Sequence, residues 1–438
     1  MSRPESTLEN QTSPQPPTTL VPPPGCPAHG AGQAGEFTPL YGGEAETDSE
    51  RLYEELRKRY GAVAPVLAPG GVPAWLVLSY HAITEVLRAP SRFTSDPRVS
   101  NRPLEPTHPL APIAMWQPLI NFADGPEHLR LREAENTTLG QLNRRGMRRY
   151  VERETDHLID LVCADGHADL VADYAEQLPM RVLTRLFGLA DSGGAELAAA
   201  CRDLLKGSET ALQSNAKVVA ILTELVRDRA ENPRQDIPSW LLNQLTPDEV
   251  VQHLRHMLVA GNETTTNLIT DTIRFILSDS RAHGRLSGGH MTLPDAIEHV
   301  LWNNPPLRVL PARYALQDTT LGEGETRTQI RKGDMLLLGL AAGNTDPAIR
   351  PDLEESMVGN RSHLSFGAGP HSCPGADLGR AIAETAIDRL LTRLPDVRLT
   401  VAPAELKADS TWMARHVSAL PVEFTPTAPN SEPRRATP

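Results

Sequence analysis

Apolar residues along the chain recur mainly at helical spacing. From Ala376 to Leu394, the positions Ala383, Ile387, Leu390, Leu391 and Leu394 share a face, which predicts a helix over that run. A longer pattern predicts a helix from about Thr246 to Leu277. In it Leu254, Met257, Leu258, Gly261, Thr265 and Leu268 form a buried stripe, and Asp248 and Glu249 put negative charge in the first turn, where the helix dipole favours it. Ala195 to Cys201 is helix-prone, and Asp124 with Pro126 close behind reads as a helix start. Strand-like runs are short: Trp75 to Leu78, Met335 to Leu338 and Val397 to Thr400. No internal repeat interrupts this pattern. It predicts one mainly α domain with small β-sheets over residues 36–425. Residues 1–35 and 426–438 are rich in Pro and polar residues and hold too little apolar surface to offset the entropy of ordering, so both are expected to be disordered tails. Cys26-Pro27-Ala28-His29, in the first of them, reads as solvated chain.

Composition narrows the partners. Across 438 residues the formal net charge is −12 with no large basic block, which argues against nucleic-acid binding. The four cysteines, Cys26, Cys163, Cys201 and Cys373, are scattered rather than arranged as a disulfide framework, which fits a reducing compartment. No apolar run approaches the roughly 20 residues a membrane span needs, and the N-terminus lacks a secretory apolar core. A cytoplasmic protein without a membrane anchor is expected.

The chemistry concentrates in three segments. Phe366-Gly-Ala-Gly-Pro-His-Ser-Cys373-Pro-Gly375 places a thiol on a glycine-rich turn just before a helix N-terminus, where backbone N–H groups favour an anion. A buried apolar cysteine, a phosphate loop and a zinc site compete with a metal-binding thiolate; the phosphate loop lacks its Lys-Ser/Thr, and His371 with Cys373 is too small a zinc set. Ala260-Gly261-Asn262-Glu263-Thr264-Thr265 lies on the long predicted helix. Its glycine costs about 1 kcal/mol against alanine there, so close approach of a flat group is one candidate compensation and a kinked core helix the other. Asp124 to Arg132 sets His128 and Arg132 four residues apart on one helix face, either merely solvated or able to bind an anion.

Together these segments closely resemble those of the cytochromes P450. The first is similar to the haem-thiolate loop, the second to the distal-helix Ala-Gly-x-(Glu/Asp)-Thr, the third to the segment that binds haem propionates. The resemblance implies a triangular helical prism around a buried haem b, with Cys373 as iron ligand and Phe366 packed near it. It implies Ala260 and Gly261 along the haem, Thr264 bonding dioxygen and Glu263 relaying protons. It implies His128, Arg132, Arg313 and His363 on the propionates. The function implied is oxidation of a small hydrophobic organic substrate by a monooxygenase. No dinucleotide fingerprint or flavin domain is visible, so electrons are expected from a ferredoxin and its reductase, docking on the Cys373 side where Arg380 could meet an acidic surface.

One departure stands out. The family ordinarily carries Glu-x-x-Arg before a Pro-Pro break, joined to an arginine of a later meander. Counted from Pro305-Pro306, the Glu falls on His299 and the Arg on Trp302, while Glu298 comes one residue early and is expected to face about 100° away. No arginine stands in Ser356 to Asn360, and Arg361 comes late. The network is thus expected to be missing on both sides, with His299 and Trp302 as a neutral aromatic substitute, as in a small group of actinobacterial members. A haem-binding sensor in a signalling complex, with little turnover, is the alternative this departure raises.

Overall fold

A computed structural model describes residues 37–430, apart from positions 190–193, 207, 280–283, 285, 287, 325–326, 354 and 356. The N-terminal tail, with Cys26, lies outside the described residues. Eight helices carry the argument: α1 (Gly125–Gly140), α2 (Arg144–Asp160), α3 (Leu178–Leu186), α4 (Gly194–Lys206), α5 (Ala211–Glu231), α6 (Pro247–Ser278), α7 (Leu293–Asn303) and α8 (Ala376–Arg393). The six-stranded sheet runs in the order β1 (Thr38–Pro39), β2 (Val63–Ala68), β3 (Val72–Val77), β6 (Met335–Leu338), β5 (Leu310–Ala315) and β4 (Phe93–Thr94). A hairpin of β7 (Ala408–Ser410) and β8 (Arg415–Val417) lies apart. The architecture is mainly α with small sheets, as the periodicity predicts.

The long helix is fixed at its start by a full capping box: Thr246 accepts from the Glu249 N–H and the Glu249 carboxylate accepts from the Thr246 N–H, with Pro247 at the first position. At 32 residues, α6 spans about 48 Å, and it packs against α3, α4, α5, α7 and α8. Most of it is buried, but Gln252, His256, Met257, Ala260, Gly261 and Thr264 keep partial exposure. These positions recur at helical spacing, so one face of the central helix is not covered by protein. In α8, Ile382, Ala383, Ala386, Ile387 and Leu390 enter the same core as Leu268, Ile269 and Ile273 of α6. The strand-like runs pair with each other: Trp75 opposes Leu336 and Val77 opposes Leu338 in a parallel pair.

Two expectations about boundaries change. Of Val397 to Thr400, Arg398–Leu399 forms strand. Residues 426–430, expected to begin a free tail, run along the end of α2: the Thr427 N–H donates to the Cys163 carbonyl (2.8 Å) and the Asn430 N–H to Asp160 Oδ1 (2.9 Å). Backbone groups supplied the anchor that side-chain composition did not advertise.

Candidate active site

Cys373 leaves a short turn, Gly369–His371, and precedes α8. Its N–H donates to the Phe366 carbonyl (2.9 Å), closing the loop. Gly369 has φ +70°, and a Cβ there would lie 2.3 Å from the Leu87 carbonyl oxygen, so no larger residue fits. Cys373 is exposed rather than packed into the core. Enough protein surrounds it that desolvation still holds it above the ordinary thiol range; a backbone hydrogen bond at Gly375 and the guanidiniums of Arg132 and Arg380 pull down, and Glu135 adds to the rise. The helix N-terminus alone therefore does not produce a thiolate. A metal that displaces the proton would.

Beside this loop the structure gathers four basic side chains from three regions. His128 and Arg132 come from α1, Arg313 from β5 and His371 from the cysteine loop. The His128 and His371 rings lie 4.2 Å apart between centroids. Burial, with His371 and Arg132 nearby, brings His128 down to about 4, so it is neutral at pH 7, and its Nε2 is buried without a hydrogen-bond partner among the described residues. Arg132 Nη2 donates to the Pro370 carbonyl (3.2 Å), while its Nε is buried and unpartnered. Arg313 is 8 % exposed, donates to the Ala312 carbonyl (2.9 Å), and is held by burial at about 10. Asp124 faces the cluster: burial alone would raise its carboxyl, but hydrogen bonds from His371 (3.2 Å), Thr94 (2.5 Å) and the Ser95 N–H (2.9 Å) outweigh that and bring it to about 2. Asp124 thus precedes the helix, as expected, yet its side chain is not the cap. A buried guanidinium and two unsatisfied donors converging from separate elements fit a group bearing carboxylates.

On the partly exposed face of α6, burial brings His256 down to about 3, with Arg255, His253 and Arg132 adding to the drop. On that face Thr264 Oγ1 donates to the Ala260 carbonyl (2.5 Å). Gly261 meets Leu183 of α3 at ordinary contact distance, 3.4 Å from where a Cβ would sit, so among the described residues no protein group demands glycine there. Glu263 is buried and faces His416 of β8, with 3.7 Å between His416 Nδ1 and Glu263 Oε1.

No family model matches the chain. The cytochrome P450 monooxygenase PikC of Streptomyces venezuelae is 31 % identical over 401 residues, covering 87 % of this chain and 92 % of that protein. The chain belongs to the cytochrome P450 family. The mycinamicin IV hydroxylase/epoxidase of Micromonospora griseorubida is 31 % identical over 399 residues, covering 84 % of this chain and 95 % of that protein. A solved P450 structure, CYP154C4 from Streptomyces sp. W2061, superposes with a TM-score of 0.82 at 26 % identity, covering 91 % of this chain and 99 % of that one. P450s bind haem, and the named relatives are hydroxylases and monooxygenases, so this P450 is an oxidoreductase of the monooxygenase class. Among the described residues no helix is long and apolar enough to cross a membrane.

Two expectations about this P450's loop need correction. His363 does not join the basic cluster. Its Nδ1 accepts from the Ser365 N–H (3.2 Å), and its Nε2 faces Glu298 Oε2 (3.0 Å), so both nitrogens are engaged by protein. His371 occupies the place expected of it. The signal was present, since His371 lies inside the cysteine motif, but only the turn at Gly369–His371 aims its ring at His128. The second correction concerns Glu298. It is buried and turned toward the loop, not away from it. Glu298 and Trp302 share a face of α7; His299 lies on the outer side, stacked on Phe275 (4.1 Å between centroids, 17° between planes). Trp302 is buried as expected, and its Nε1 donates to the Asn360 carbonyl (2.8 Å). An arginine does join α7 to this segment: buried Arg350 lies over the Trp302 ring (5.5 Å to the centroid) and donates to Asn303 Oδ1 (3.2 Å) and the Leu353 carbonyl (3.0 Å). Arg380, expected on a docking surface, donates to Glu298 instead (2.7 Å).

Proposed function

We propose that this P450 is a haem-thiolate monooxygenase, with Cys373 as iron ligand to haem b, oxidising a small hydrophobic organic substrate with electrons from a ferredoxin and its reductase. The observation that carries the reading is the set of basic side chains beside the Cys373 loop. His128 Nε2 and Arg132 Nε are buried without a partner among the described residues, Arg313 and His371 lie beside them, and two propionates would match this set. Bound there through the thiolate, haem supplies dioxygen activation, which electron donation from sulfur favours. The chain's own groups do the rest. Ala260 and Thr264 line the partly exposed face of α6. The Thr264 hydroxyl, held on the Ala260 carbonyl, is positioned to pass a proton, and Glu263 to replenish it through His416. An acidic electron donor would meet Arg144, Arg145, Arg148 and Arg149, exposed on the stretch of α2 where Arg144 approaches Asp377 of α8 (3.9 Å).

The sensor alternative drew its weight from His299 and Trp302. Both have structural partners, in Phe275 and Asn360, and nothing about them calls for a signalling role. The test is the absorption spectrum of the reduced protein with CO. A Soret band typical of thiolate ligation is expected in the wild type and not in Cys373→Ala. Its absence from the wild type would overturn the assignment. Substrate-stimulated NADPH consumption with ferredoxin and reductase, lowered in Thr264→Ala, separates the enzyme from a sensor.

A further inference from the structure

We infer that Arg380 is a positioning residue for the Cys373 loop, supplying from the helix after the loop the guanidinium that Glu298 cannot find on its own helix. The inference rests on the reading of Cys373 as the haem ligand. Glu298 is 6 % exposed, so its carboxylate needs compensation. The positions one turn beyond it on α7 are Leu301 and Trp302, neither of them a cation.

The compensation comes from across the fold. Arg380 Nε donates to Glu298 Oε1 (2.7 Å), and Nη2 lies 3.5 Å from Oε2. Because His363 Nδ1 accepts from the Ser365 N–H, its Nε2 carries the proton and donates to Glu298 Oε2. The 3.3 Å approach of Arg380 Nη2 to that same nitrogen is then a donor–donor contact, not a further bond. Burial would raise the Glu298 carboxyl, but the bonds from His363 and Arg380 outweigh it and hold it below the usual range, so it is ionised at neutral pH. Arg361 also reaches toward Glu298, at 3.8 Å, but is 67 % exposed and contributes little.

The same guanidinium lies over the Phe366 ring, 4.4 Å from its centroid. Phe366 is the residue whose carbonyl receives the Cys373 N–H. One side chain, itself 19 % exposed, thus joins α7, α8 and the strand of loop that fixes the cysteine backbone. The clamp is completed behind the loop, where Ser365 Oγ donates to the Leu301 carbonyl and the Leu364 N–H donates to Asn344 Oδ1 (2.7 Å). Removing Arg380 leaves the Glu298 carboxylate with His363 as its remaining buried donor and uncovers Phe366. Removing both charges leaves neither unmatched, which is why the pair is expected to be strongly coupled.

The test follows the thiolate Soret band of the reduced CO complex over time at fixed temperature, alongside urea unfolding of the haem-free protein. Arg380→Gln is expected to lose the band roughly tenfold faster or more than wild type. Arg380→Lys, which keeps the charge but not the fork, falls between. Glu298→Gln/Arg380→Gln recovers much of the lifetime, and Arg361→Gln behaves as wild type. A loss rate within twofold of wild type in Arg380→Gln, or additive effects in the double variant, overturns the inference. If Arg380→Gln does not fold, a folded double variant supports it and an unfolded one overturns it. A wild type without the thiolate band refutes the haem-ligand reading instead, and the coupling in urea unfolding still decides whether the clamp exists.

Discussion

Replacing Arg313 with methionine should move two properties in opposite directions. The guanidinium is held by burial at about 10 rather than 12.5. At about 1.4 kcal/mol for each tenfold change in proton affinity, this depression is worth about 3 kcal/mol against the folded haem-free protein at neutral pH. The sign follows from the charged form being the disfavoured one: the penalty is in force below the folded-state value and fades only as pH rises through it. Methionine has a similar reach and no charge, so Arg313→Met removes the penalty. It also removes the bond to the Ala312 carbonyl (2.9 Å), worth about 1 kcal/mol. A net gain of about 2 kcal/mol is expected in urea unfolding of the haem-free protein. Haem affinity should fall, because a charge-assisted bond to a propionate is worth about 1.5–3 kcal/mol, or roughly 10- to 150-fold. Titration of the haem-free protein with haem, read at the Soret band, measures that loss. A variant that is less stable without haem and binds it as tightly as wild type would refute the reasoning, since it would mean that Arg313 is a structural residue with no carboxylate to meet.

Three further outcomes follow from the same cluster. Asp124→Asn should cost up to about 2 kcal/mol at neutral pH, since a carboxyl held at about 2 contributes stability above its unfolded value that is lost as pH falls through the folded one; the stability difference between wild type and variant should therefore shrink between about pH 4 and 2. Glu135 is the reverse case. Burial lifts it to about 7 against the pull of Arg132, so its contribution is intact below about pH 4.5 and is lost as pH rises through 7. Glu135→Gln should be the more stable protein in haem-free unfolding at pH 8, with little difference at pH 5. Gly369→Ala meets both the Leu87 carbonyl and an unfavourable φ, and should lower stability by about 2–4 kcal/mol and abolish the thiolate Soret band; an unchanged spectrum would show that the loop has slack.

The parts of the site that were legible early share a property: their information is local. The cysteine turn, the Ala260–Thr264 run and the two long helices each declare themselves within a few residues, because backbone permissiveness, capping and helical periodicity are short-range. His363 and His371 show where that ends. Both are histidines of one loop, eight residues apart, and nothing in composition says which joins the basic cluster. Their assignment depends on whether the ring meets Glu298, 65 positions away, or His128, 243 positions away. Counting from Pro305-Pro306 likewise puts Glu298 one place off, because it assumes a helix register that packing sets. The buried face of α7 carries Glu298, Leu301 and Trp302 since those side chains meet the loop and the meander, while His299 finds Phe275 outside.

Sequence alone therefore determined the class of fold, the cysteine loop and the distal helix, and with them the P450 family. Tertiary structure decided how that loop is held. No arginine or lysine stands on α7, yet a buried carboxylate cannot stay ionised without a donor, and the fold brings Arg380 to it from the helix on the other side of the cysteine. Which cation neutralises a buried anion depends on distances between elements, and those distances exist only once the chain is packed.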